Sequence, residues 1–156
     1  MPLHDLGTVI GAYSGLARKA LDYTETMKNL VDAAKAPDFS SEQWDDLAAF
    51  VDTAAFERVG NFKEVMAWPE YVGFLDGWAR SSEWECSFKR LTQNDHLVIV
   101  ELEERSNVGG VTSAVNSVLV YEFDEVGKIR HLDIYLQMPL PELEMLKSYE
   151  GITIAQ

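Results

Sequence analysis

Three groups of residues in this chain have types and spacings that could do chemistry. Glu57 and Arg58 are adjacent. A buried glutamate can act as a general base once its pKa is raised, and a guanidinium can clamp a carboxylate or polarise a carbonyl. The plainer reading of this pair is an ion pair, or two solvated strand residues. His131, Asp133 and Tyr135 alternate along one segment, so they share a face if it is a strand. They could form a His–Asp dyad with a phenol donor, or they could belong to a dimer interface or a hydrogen-bonded outer face. Glu101, Glu103 and Arg105 form a similar row. Turned inward, the row is a carboxylate pair with a countercharge, suited to acid–base work. Turned outward, it makes cross-strand salt bridges, for example to Lys89 or Arg130.

Other chemistries find no support. The three histidines, His4, His96 and His131, are scattered and show no H-x-x-x-H spacing, so no zinc site is expected. Cys86 is the only cysteine, which rules out an internal disulfide and a thiolate cluster. "NVGG" reads as a turn, since neither G-x-x-x-x-G-K-[ST] nor G-x-G-x-x-G occurs. No cofactor is expected. The formal charge of −13 repels phosphate backbones and anionic lipid, so neither nucleic acid nor a membrane surface is an expected partner. No stretch approaches the roughly 20 apolar residues of a membrane span. The start lacks the basic and apolar regions of a signal peptide, and a cytoplasmic location is the expectation.

The elements that must position these residues follow from periodicity. The 156 residues suit one domain, with a core at about 19–138 and a tail at 139–156. Apolar residues recur at three- and four-residue steps from Leu16 to Ala34, which predicts a helix over about Thr8 to Ala36, ended by Pro37. Ser40 and Gln43 fit a capping box opening a second helix, whose buried face would be Trp44, Leu47, Ala48 and Val51. "AAFERVG" reads as a short strand; "NFKEVMAW" reads either as a helix capped by Asn61 and Glu64 or as the second arm of a hairpin, and the hairpin is preferred. Pro69 suits the first position of a third helix running to about Arg80. Four strands then follow between residues 83 and 138, separated by "ND", "NVGG" and "EVGK". Pro141 would open a short helix in the tail. Helices followed by a curved antiparallel sheet make an α+β domain that can hold a pocket between the two layers.

Alternation then assigns faces. Leu132, Ile134, Leu136 and Met138 share one side of the last strand; Leu119, Tyr121 and Phe123 share one side of the strand before it. In the strand before that, Val100, Leu102 and Glu104 oppose Glu101, Glu103 and Arg105. With the apolar sides turned toward the helices, His131, Asp133 and Tyr135 fall on the outer face; a β-bulge would reverse the parity beyond it. The aromatic set Trp44, Trp68, Trp78, Trp84, Tyr71, Phe74, Tyr121 and Phe123 suits either an ordinary core or a pocket for a flat or terpenoid-like molecule.

The order of helix, helix, "LAAFVDTAAFERVG", the third helix at "WPEYVGFLDGWA" and hairpin strands ending in "YEFDEVGKIRHLDIYLQ" resembles the nuclear transport factor 2-like superfamily. That group includes ketosteroid isomerases, SnoaL-type polyketide cyclases and limonene-epoxide hydrolases. The resemblance spans roughly Lys19 to Met138. It implies a cone of mixed strands around about three helices, a deep apolar pocket, a small apolar organic ligand, and a homodimer formed through the outer sheet face. It also places Arg58 where the isomerases carry their general base, and Leu119 where they carry a second acid. Arg105 and Asn107 fall near the hydrolases' Arg-x-Asp, and His131 and Asp133 resemble the paired residues of the cyclases' final strand. A guanidinium cannot accept a proton at neutral pH, so the usual isomerase machinery is absent. On this reading the candidate catalytic residues are Glu57, Arg58, His131 and Asp133. The candidate pocket residues are Trp68, Phe74, Trp78, Glu101, Arg105, Leu119, Tyr121, Leu132 and Ile134. Cofactor-independent isomerisation, cyclisation or hydration by acid–base catalysis stands against a non-catalytic binding or dimerisation module. A titratable group inside the pocket would separate the two.

Overall fold

A computed structural model describes residues 2–139 and Gly151. The tail helix expected from Pro141 lies outside the described residues. The chain opens with β1 (His4–Asp5), α1 (Leu6–Val9) and a 3-10 turn at Ile10–Ala12, followed by the long helix α2 (Gly15–Ala33). A second 3-10 turn at Ser41–Trp44 leads into α3 (Asp45–Ala48). The hairpin β2 (Glu57–Val59) and β3 (Val65–Ala67) follows, then α4 (Trp68–Ser81). Four strands complete the fold: β4 (Ser82–Asn94), β5 (Leu97–Val108), β6 (Val111–Phe123) and β7 (Ile129–Gln137).

The strands form one seven-stranded sheet in the order β1-β4-β5-β6-β7-β2-β3. All neighbours are antiparallel except β2 and β7, which run parallel. The sheet is an open α+β layer wrapped around α2 and α4, as the α+β expectation required. α2 is a helix because Ala17, Ala20, Leu21, Tyr23, Thr24, Met27, Leu30 and Val31 fall on one stripe, and all are buried. It is shorter than its pattern predicts. The chain breaks at Tyr13–Ser14, and Gly15 takes a φ of +61° that a helix cannot run through. Its end falls at Ala33, short of Pro37, in keeping with the bias against helical backbone before proline. Ser40 Oγ accepts the Glu42 N–H at 3.3 Å while Gln43 Oε1 accepts the Ser40 N–H at 3.0 Å, so the predicted box forms. The helix it opens is only a turn or two long.

The inner sheet face is apolar. Val98, Val100, Leu102, Tyr121, Ile129 and Leu132 are each no more than 2% exposed, and each such side chain stabilises the fold by roughly 1.5–3 kcal/mol through burial. Two bulges adjust the alternation. One lies between Phe88 and Arg90 in β4, so that Phe88 and Leu91 both point inward. The other lies opposite the Glu122–Phe123 step, where Ile129 pairs with Phe123 and His131 with Glu122. Arg130 is thus the extra residue, and the alternation from Leu132 onward is undisturbed.

The turn joining β6 to β7 is tied to α2. Asp124 Oδ1 accepts the N–H groups of Val126 and Lys128 at 3.0 and 2.8 Å, and Lys19 Nζ donates to the Gly127 carbonyl at 3.0 Å. Gly127 has a φ of +79°, and a Cβ there would lie 2.5 Å from Lys19 Nζ. Gly127→Ala is therefore expected to cost about 1–2 kcal/mol through left-handed backbone strain alone, read as a lowered urea midpoint with an unchanged slope.

Candidate functional site

Between the inner sheet face and the helices lies a cavity of about 340 Å³, inside the size range of small-molecule sites. α2 contributes Tyr23, Thr24 and Met27, and α4 contributes Tyr71, Phe74, Leu75 and Trp78. The sheet contributes Arg58, Trp84, Glu104, Ser106, Ser113, Val115, Leu119, Tyr121, Leu132, Ile134 and Leu136, with Met138 just beyond β7. Phe74 and Met138 are about half exposed, at 48% and 54%, and mark the rim, whereas Tyr23, Tyr71, Tyr121 and Leu132 are buried at its floor.

Two ionisable groups enter these apolar walls. Glu104 comes in because β5 alternates, which sets it on the same side as Val98, Val100 and Leu102. Its Oε1 accepts the Trp84 indole N–H at 3.0 Å. Desolvation by the surrounding side chains raises its pKa, outweighing the Ser117 hydroxyl, the Trp84 indole and the Arg58 charge, all of which favour the ionised form. Arg58 comes in because β2 pairs with β7, where Arg58 stands opposite Leu132 and so shares its inward direction. Its guanidinium carbon sits 4.9 Å from the centre of the Tyr71 ring, a cation–π geometry. Its Nη1 reaches Glu64 Oε1 only at 3.5 Å. The Arg58 Nε is buried and has no hydrogen-bond partner among the described residues. Glu64 is itself fixed by the Phe62 N–H at 2.9 Å, folded over Gly60 so closely that a Cβ on Gly60 would lie 1.7 Å from Glu64 Oε1.

The phenols are held neutral. Burial, reinforced by the nearby Tyr71 and Tyr121, pushes Tyr23 well above the ordinary phenol value. Tyr71 and Tyr121 are also raised by burial, although Arg58 opposes the shift at Tyr71 and the Thr24 hydroxyl opposes it at Tyr121. Thr24 Oγ1 lies 3.2 Å from the Tyr121 hydroxyl and donates to the Ala20 carbonyl, while the buried Tyr23 hydroxyl has no partner among the described residues. Cys86 is no nucleophile: burial, with Glu104 and Glu85 near it, pushes its thiol up to about 12. Among the described residues no group of three or more His, Cys, Asp or Glu is placed to hold a metal.

Of the candidate catalytic residues, only Arg58 enters the cavity. Glu57, His131 and Asp133 lie on the opposite sheet face, with His131 Nδ1 3.4 Å from Glu57 Oε1 and His131 Nε2 3.0 Å from Asp133 Oδ1. They form a dyad-like row, but the inward residues of β7 are Leu132, Ile134 and Leu136, so parity keeps it out of the cavity. Of the candidate pocket residues, Phe74, Trp78, Leu119, Tyr121, Leu132 and Ile134 line the cavity. Trp68 does not: it packs edge-on to Phe56 at 5.2 Å within the core. Glu101 and Arg105 are outward, Glu101 paired with Arg90, and Arg105 with Glu103 at 2.8 Å and Ser87 at 2.9 Å. Sequence reasoning missed Glu104, Tyr23 and Thr24 as site residues. The signal for Glu104 was present: a carboxylate on the valine and leucine side of a strand is costly unless it is used or partnered.

Comparison with solved structures recovers the same architecture. A protein from Shewanella putrefaciens, provisionally named a SnoaL-like polyketide cyclase, superposes with a TM-score of 0.63 at 10% identity, covering 81% of this chain and 82% of that one. An epoxide hydrolase of the LEH-like type from Mycobacterium tuberculosis gives 0.59 at 15% identity, covering 78% and 84%. The chain has the nuclear transport factor 2-like fold. A hypothetical protein from Catenulispora acidiphila with a ketosteroid isomerase-like fold, solved with trimethylamine, gives 0.51 at 11% identity over 66% and 78%. No family model matches the sequence, and no curated protein matches it. At these identities the likeness concerns the fold. The shared feature is the open sheet with its helices. No helix among the described residues is long and apolar enough to cross a membrane.

The raised pKa of Glu104 has a stability consequence. A carboxyl whose pKa is higher in the folded than in the unfolded state binds more protons when folded, so stability falls as pH rises from the ordinary value of 4.5 through the folded pKa. Glu104→Gln keeps an acceptor for the Trp84 indole and removes the ionisation. Its melting temperature is expected to gain on that of the wild type as pH rises from about 4.5 through the folded pKa of Glu104, and then to hold a constant lead. A constant difference across this range would contradict the desolvation argument.

Proposed function

We propose that this protein converts a small, mostly apolar organic molecule by general acid–base catalysis, using its own side chains. Glu104 is the proton-transfer group and Arg58 stabilises charge developing on a substrate oxygen. The observation that supports this most is Glu104 itself: a carboxyl set in apolar walls, with its pKa moved toward the range where a group both gives and takes protons near neutrality. Arg58 supplies a fixed positive charge in the same low-dielectric space, where such charges act strongly on a reacting carbonyl, epoxide or enolate oxygen. The phenols stay neutral and can donate hydrogen bonds. Phe74, Trp78, Trp84 and the aliphatic side chains of β6 and β7 would hold the body of the substrate and exclude water. The names of the structural neighbours, an epoxide hydrolase and a cyclase, are compatible with isomerisation, cyclisation or hydration in such a chamber. The trimethylamine bound to a third neighbour supports a small-molecule ligand.

One observation favours a purely binding role: Glu104 Oε1 already accepts the Trp84 indole N–H, as a structural acceptor would. Proton transfer to carbon decides between the two readings. Exchange of the α-protons of 2-tetralone and phenylacetone in D2O, followed by NMR, together with hydration of styrene oxide, samples the proposed chemistries. The wild type is expected to accelerate at least one of these, and Glu104→Gln to lose about 10²-fold or more. No acceleration by the wild type, or equal rates in the two proteins, would count against Glu104 as the proton-transfer group.

A further inference from the structure

We infer that the ligand of this cavity carries an anionic oxygen group, a carboxylate or its isostere, which is held by Arg58. This deepens the ligand reading above and rests on the cavity being a ligand site. The protein as a whole carries a formal charge of −13, yet the cation entering the cavity is poorly compensated. Arg58 has a side-chain exposure of 13%, its one carboxylate contact is at 3.5 Å, and its Nε is buried without a partner. A guanidinium has five donors, and taking such an ion out of water is costly unless a counter-ion with good geometry is supplied. The Tyr71 ring face offsets part of this cost. Among the described residues Glu104 makes no hydrogen bond or ion pair with Arg58; its Oε1 is taken up by the Trp84 indole N–H. The geometry thus sets a guanidinium with few partners in apolar walls, beside the buried Tyr23 and Tyr71 phenols. A ligand carboxylate supplies the missing charge, and its apolar body would lie among Phe74, Trp78 and Trp84. An amine or other cation would add to the uncompensated charge.

Calorimetric titration of the whole protein with matched acid and amide pairs tests this directly: octanoate against octanamide, phenylacetate against phenylacetamide, and 1-naphthylacetate against 1-naphthylacetamide. In at least one pair the acid is expected to bind about tenfold or more tighter than the amide, as charge-assisted pairing implies. Arg58→Met should remove that preference, so that acid and amide bind about equally. Glu64→Gln releases Arg58 from its competing carboxylate and should strengthen acid binding several-fold, which keeps the test decisive if Arg58→Met fails to fold. Equal binding of acids and amides, no binding of any acid, or an acid preference that survives Arg58→Met would each overturn the inference. Glu104→Gln should keep the acid preference. Loss of proton exchange without loss of acid preference would thus separate the catalytic reading from the ligand class.

Discussion

The pairing of β2 with β7 is the constraint on which the site depends. β2 has only three residues, and its neighbour β3 is equally short. By joining β7 in parallel, it extends the sheet past its last long strand and sets Arg58 opposite Leu132. A slip of one residue would turn Arg58 outward and bring Glu57 or Val59 in. The register is held from both sides: β3 closes the hairpin, and the Asn61 side chain accepts the Leu136 N–H at 3.0 Å. Glu64 then folds over Gly60 and sets the guanidinium's position, where any larger residue would stand in its way.

The second determinant is the apolar character of everything around the two charges. Arg58 and Glu104 would be unremarkable on a wet surface. Here the same side chains meet Leu119, Leu132, Ile134 and the aromatic floor, so desolvation dominates the behaviour of Glu104 and leaves Arg58 short of partners. The outer face shows the contrast. Three of its arginines are matched, Arg90 on Glu101, Arg105 on Glu103 and Arg130 on Glu122. Exposed pairs of this kind contribute little each, and none of them creates an unmet electrostatic demand. Chemistry is expected where the demand is unmet.

Much of this was legible in the chain. The three-and-four spacing of α2, the Ser40 box, Pro69 at the start of α4, and the turn residues between β4, β5, β6 and β7 all marked their elements, because each signal is local. Alternation also gave the inward set of β6 and β7. It placed the His131–Asp133–Tyr135 row on the outer face, and the resemblance drew attention to that row for its residue types. The break before Gly15 and the brevity of α3 were not anticipated from periodicity.

Sequence by itself determined the elements, the two faces of each long strand and the apolar lining, because periodicity of three to four or of two is a property of neighbouring residues. It also put Glu104 on the apolar side of β5. Only the tertiary structure decided that Glu104 and Arg58, 46 positions apart in the chain, enter one cavity while Glu57 joins His131 and Asp133 on the opposite face. That outcome rests on the parallel register of β2 against β7, which is set by packing between distant segments and which no local pattern encodes.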